Sequence, residues 1–69
     1  MLEKDLVDLG VRIHSERYKR GMTIEDFADF LQLSKSTIAK LEKGQTANLN
    51  ILQEVLVKLD IKVRLVLLN

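Results

Sequence analysis

A chain of 69 residues lies near the lower limit at which one apolar core sustains a fold without reinforcement. With no cysteine and a single histidine, His14, it has neither a disulfide framework nor the ligands for a protein-only zinc site, so no metal or other cofactor is expected and oligomerisation is the remaining stabiliser. Its 46% hydrophobic and 30% charged residues are those of a globular domain, and no apolar run approaches the ~20 residues that cross a bilayer, which excludes a membrane role.

Residues 1–8 carry Glu3, Asp5 and Asp8 where a secretory signal would have a basic region, so the expected location is cytoplasmic. The net charge of +1 hides an uneven distribution. Residues 1–20 hold five bases and four acids, and residues 21–33 hold three acids and no base. Residues 34–48 hold Lys35, Lys40 and Lys43 against Glu42 alone, and residues 49–69 hold three bases and two acids. The excess in 34–48 is modest, so one monomer attracts phosphate weakly and two would double the contacts.

Leu6, Leu9, Ile13 and Arg17 recur at three- and four-residue spacing, which predicts a first helix over residues 2–20 with that stripe inward and Gly21 as its stop. Gly10, inside the pattern, costs roughly 1 kcal/mol against Ala and allows a close helix contact. Thr23 can cap a second helix, residues 24–31, with Glu25 and Asp26 at its positive end and Phe27, Ala28 and Leu31 inward. After a tight turn at 32–33, Ser34 caps a third helix, residues 35–43, closed by Gly44; Ile38 and Leu41 face in, while Lys35, Ser36, Ala39 and Lys40 leave a slim outer face. Asn48 caps a fourth helix, residues 49–59, with the stripe Leu49, Leu52, Leu56 and Leu59.

Beyond Asp60 the period changes to two. Ile61, Val63, Leu65 and Leu67 alternate with Lys62 and Arg64, a strand pattern without a partner strand elsewhere in the chain. Pairing with a second copy across a twofold axis would satisfy its backbone and supply the missing stabilisation. The chain therefore divides into a helical domain, 1–60, and a dimerisation strand, 61–69. Without linkers, proline or repeats, there is no further domain to expect.

Residues 22–44, Met-Thr-Ile-Glu-Asp-Phe-Ala-Asp-Phe-Leu-Gln-Leu-Ser-Lys-Ser-Thr-Ile-Ala-Lys-Leu-Glu-Lys-Gly, resemble the helix-turn-helix of the Xre and lambdoid Cro/repressor family. The resemblance rests on Thr23, Phe27-Ala28, Ser34, Ser36-Thr37-Ile38 and Leu41-Glu42-Lys43-Gly44, and extends over about residues 6–59. It implies a mostly α fold, a four- to five-helix lambda-repressor-like DNA-binding domain, here with a C-terminal β-strand that pairs across a dimer. Ala28 suits the close crossing of helices two and three, and Ile38 and Leu41 lock the third helix to the body.

In that family the third helix enters the major groove of double-stranded DNA. Carried over by position, Lys35, Ser36, Thr37 and Lys40 are the base readers, with Ala39 placed for a thymine methyl. Thr23 and Ser34 at the caps, Lys43, and the loop residues Gln45 and Thr46 are the phosphate contacts. The resemblance also pairs Arg17 with Glu42, which would aim Arg17 at a phosphate. Two positions depart from the family: Ile24 stands where glutamine touches phosphate, and Gln32 stands where the turn has glycine, at a cost of order 1 kcal/mol if its φ is positive.

A helix-turn-helix body followed at once by a short strand is similar to the HipB-like antitoxins, whose strands pair between subunits and which bind both operator DNA and a toxin protein. The implied function is a homodimeric repressor that autoregulates its operon on a palindromic operator, with recognition helices ~34 Å apart. The alternatives are a free-standing Xre-type repressor and a protein-interaction module that only neutralises a partner. An enzyme is not expected, since there is no cysteine, second histidine or glycine-rich phosphate loop, and His14 and Ser15, as helix neighbours, point apart. His14 reads as a helix-surface residue, and Lys19 and Arg20 as a solvated helix end. Phe30 either fills the space beside the first helix or forms an exposed apolar contact.

Overall fold

The structure, a computed structural model, describes residues 3–45 and 48–62. Among them are four α-helices: α1 (Glu3–Lys19), α2 (Ile24–Leu31), α3 (Lys35–Glu42) and α4 (Leu49–Lys58). Each boundary lies within a residue of the expectation from periodicity and caps. The three predicted N-caps are made. Thr23 accepts from the Asp26 amide at 3.1 Å while Asp26 accepts from the Thr23 amide at 3.2 Å, a full capping box. Ser34 accepts from the Thr37 amide at 3.2 Å, and Asn48 accepts from the amides of Asn50 and Ile51 at 3.0 and 3.2 Å.

All four helices end in the same way, with a left-handed residue and paired reverse hydrogen bonds. The left-handed positions are Gly21, Gln32, Gly44 and Asp60, at φ of 63°, 58°, 74° and 56°. The residue after each returns its N–H to a carbonyl five back: Met22 to Arg17, Leu33 to Ala28, Gln45 to Lys40 and Ile61 to Leu56, at 2.8–3.2 Å. Met22, Leu33 and Ile61 are apolar and pack on the core, so each stop also turns the chain inward. Gln45 is the exception, polar and exposed, and it follows α3.

The core is one cluster drawn from every helix: Ile13, Phe27, Ala28, Leu31, Ile38, Leu41, Leu52, Val55, Leu59 and Ile61. Phe27, Ile13 and Ile38 are completely enclosed, each stabilising the fold by about 1.5–3 kcal/mol through burial. α1 meets the end of α3 at backbone distance. A Cβ on Gly10 would stand 2.7 Å from the carbonyl oxygens of both Leu41 and Glu42. This is the close contact that the small residue permits.

Three expectations change. Leu49 is 59% exposed, and Val55 joins Leu52 and Leu59 in the buried stripe, with Ile51 and Leu56 packed at its edges. Ile61 packs in its own chain's core as the closing residue of α4, an intrachain role that the strand pattern did not indicate. Residues 61 and 62 are not strand, and Val63, Leu65 and Leu67 of the expected strand lie outside the described residues. Lys19 and Arg20 are not simply solvated: both pair with Glu16, at 3.1 and 3.0 Å.

Gln32 carries a side chain into backbone space that favours glycine. Gln32→Gly should raise stability by about 0.5–1 kcal/mol in thermal denaturation, the relief of strain exceeding the added entropy of the unfolded chain. Asp60→Gly should gain less, because Asp tolerates the left-handed region better than Gln. Gly10→Ala should cost about 2 kcal/mol, since the obstructing atoms are backbone and α1 must move off α3.

Candidate nucleic-acid interface

The outer face of α3 follows from its burial pattern. Ile38 and Leu41 are buried, so at about 100° per residue the arc centred on Ser36 points away from the body. Lys35, Ser36, Lys40 and Lys43 are exposed on it, and Ala39 and Thr37 are half-buried at its margins. The hydroxyls at its start form a cluster: Ser34 Oγ lies 2.8 Å from Thr37 Oγ1 and 3.3 Å from Ser36 Oγ. Ser34 therefore contacts two neighbouring hydroxyls at the open end of the helix.

At the other end, Glu42 turns inward and is tied to α1. Arg17 donates to it twice, from Nε to Oε2 at 2.8 Å and from Nη2 to Oε1 at 3.1 Å, and reaches the Met22 carbonyl with Nη1 at 3.2 Å. His14 Nδ1 donates to Glu42 Oε1 at 2.7 Å. The Glu42 side chain is only 10% exposed. Burial pushes its carboxyl pKa up, but the hydrogen bonds from Arg17 and His14 outweigh this and hold it below its usual value. The same contact raises the Arg17 guanidinium.

This changes the electrostatics of α3. The acid that offset three lysines in the sequence is consumed inside the molecule, so Lys35, Lys40 and Lys43 are the charges α3 presents to solvent. Beside them an open groove separates α3 from the start of α4, with Thr37 and Lys40 on one wall, Asn48, Leu49 and Asn50 on the other and Gln45 at the end.

A family model described as helix-turn-helix matches residues 13–66. The chain belongs to that family, of the Xre-like kind. Comparison with curated proteins and with solved structures returned no match. As a helix-turn-helix protein it is a DNA-binding regulator. No described helix is long and apolar enough to cross a membrane.

In this helix-turn-helix domain the residues singled out from the sequence fall into two groups. Lys35, Ser36, Thr37, Ala39 and Lys40 share α3's accessible face, with Lys43 and Gln45 continuing it toward the groove, and Thr23 and Ser34 are exposed at their caps. Thr46 lies outside the described residues. Arg17 is different: its side chain is 16% exposed and three of its five N–H donors are directed at Glu42 and Met22, so it points into the molecule.

Sequence reading missed the His14 contact and the α4 side of the groove. His14 lies one helical turn before Arg17, and that spacing was the available signal, since both reach the same partner. Phe30 is 45% exposed with the Arg20 guanidinium 6.0 Å from its ring centre and Phe27 stacked behind it at 6.4 Å, a mixture of the two readings.

Glu42→Gln should destabilise the domain at neutral pH by about 1.5–3 kcal/mol, the range for charge-assisted hydrogen bonds. Because the folded carboxyl has the lowered pKa, its contribution is complete above the unfolded value and is lost as pH falls through the folded one. The difference in melting temperature between wild type and Glu42→Gln should therefore shrink below about pH 4 and vanish at lower pH.

Proposed function

We propose that this helix-turn-helix protein is a sequence-specific transcriptional repressor that binds a palindromic operator as a homodimer and autoregulates its own operon as the antitoxin of a toxin–antitoxin pair in the cytoplasm. The observation that carries the DNA-reading part is the unopposed basic face of α3, with Glu42 withdrawn into the α1 contact. Lys35, Ser36, Thr37, Ala39 and Lys40 read base edges in the major groove. Thr23, Ser34, Lys43, Gln45 and Thr46 hold phosphates on either side. Arg17 holds Glu42, and with it the end of the reading helix.

Three lysines on one head give weak phosphate attraction, so two heads are needed for a stable complex. With Ile61 used by its own core, the seam between copies is assigned to residues 63–69, whose apolar alternation continues through Val63, Leu65 and Leu67. The antitoxin part rests on the order of a helix-turn-helix body followed directly by this segment.

Titration of a labelled palindromic duplex should show two chains per site. Lys35→Ala with Lys40→Ala should weaken binding at least tenfold and reduce the preference for the operator over a mismatched duplex, while Lys43→Ala should lower the slope of log affinity against log salt by about one per monomer. No binding at low salt, or one chain per site, removes the reading. Val63→Asp with Leu65→Asp should sediment as a monomer, and an unchanged dimer would move the seam elsewhere. Co-expression with the product of the adjacent reading frame should yield a stable complex; its absence would leave a free-standing repressor.

A further inference from the structure

We propose that Lys58, on the last turn of α4, is a positioning residue for the reading head: its ammonium group clamps the end of α2 and holds the strained Gln32 turn that sets the angle between α2 and α3. The proposal rests on the DNA-reading role given above for α3, and nothing in the helix-turn-helix motif itself, residues 23–44, supplies this contact.

The end of α2 is poorly provided by its own sequence. Its last turn has no basic residue and carries Asp29, an acid at the negative end of the helix dipole. The turn that follows depends on Gln32 at φ 58°, a left-handed conformation that favours glycine. The carbonyls of Ala28 and Asp29 receive the N–H groups of Leu33 and Gln32 at 2.9 and 3.2 Å, which leaves the Leu31 carbonyl beyond the reach of that pattern. Lys58 Nζ donates to this oxygen at 3.1 Å, across 27 residues of chain.

The location matters more than the bond. The Leu31 carbonyl belongs to the peptide unit immediately before Gln32, so fixing that oxygen fixes the plane from which the Gln32 φ is set. A rotation of that unit would swing Leu33 off the core and tilt Ser34 and α3 with it. Lys58 also sits on the last turn of α4, so one cation complements the C-terminal ends of two helices. The positive charge of Lys58 is thereby directed at the protein's own turn and stands apart from the three lysines of α3.

The test uses the full chain with Lys58→Met, which keeps most of the aliphatic stem, Lys58→Arg, which keeps the donor, and Gln32→Gly, which removes the strain. Lys58→Met should weaken binding to the duplex about fivefold at a temperature where the protein remains folded. It should leave the slope of log affinity against log salt unchanged, and Lys58→Arg should restore affinity. The stability lost on Lys58→Met should be smaller in the Gln32→Gly background, and amide exchange at Leu33 should quicken in Lys58→Met alone.

A salt slope lower by about one would make Lys58 a phosphate contact and overturn the proposal. Equal loss of stability in both backgrounds would overturn it as well, because the clamp would then act independently of the turn. Should Lys58→Met not fold, Lys58→Gln keeps an N–H donor on a shorter stem, and the same cycle with Gln32→Gly decides. Should the wild type bind no DNA, the cycle and the Leu33 exchange still decide the clamp, while the failure counts against the reading of α3.

Discussion

One carboxylate fixes the end of the reading helix. Glu42 is the last residue of α3, and it receives Arg17 at two oxygens and His14 at one, both from α1. The arrangement requires the two helices to approach at backbone distance, which Gly10 permits by having no side chain between them. Charge and shape are thus coupled at a single crossing. If α1 moved away, a largely buried carboxylate would lose its partners, and an unpaired buried charge is among the most destabilising defects a small domain can carry.

The same contact determines what α3 shows to the outside. An exposed Glu42 would place a negative charge one residue from Lys43 and two from Lys40 and offset part of the attraction for phosphate. Drawn inward, it stabilises the fold and leaves the outer face basic. The net charge of +1 over the chain therefore understates the interface. Lys19 and Arg20 are held by Glu16 and Lys58 by the Leu31 carbonyl, whereas Lys35, Lys40 and Lys43, on α3 and at its C-cap, have no such internal partner among the described residues.

Much of this was legible in the sequence because the signals were local. Thr23, Ser34 and Asn48 act within three residues of themselves, and Gly21 and Gly44 mark stops that need no distant partner. The pairing of Arg17 with Glu42 was accessible only through family resemblance, since the two are 25 residues apart. What stayed hidden was likewise long-range. Lys58 bonding a carbonyl 27 residues away leaves no trace in composition or period, and His14 reads as a surface residue until α3 is laid beside it. Leu49 and Ile61 were misplaced for a different reason. Each continues a valid period, and periodicity does not report which residues of a stripe meet the core or where an apolar alternation begins with the residue that closes a helix.

Length explains why so much depends on these few long-range contacts. α2 and α3 are eight residues each, too short to persist as helices in water, so their order comes from the body and from their ends. Each end is closed: capping side chains at the start and left-handed stops at the finish. Where the stop is not glycine, the structure supplies a further restraint. At Asp60 it is the burial of Ile61, and at Gln32 it is the burial of Leu33 together with the Lys58 bond. A reading helix ordered in this way before it meets its ligand loses little conformational freedom on binding, and that matters most for a head with only three lysines to hold a phosphate backbone.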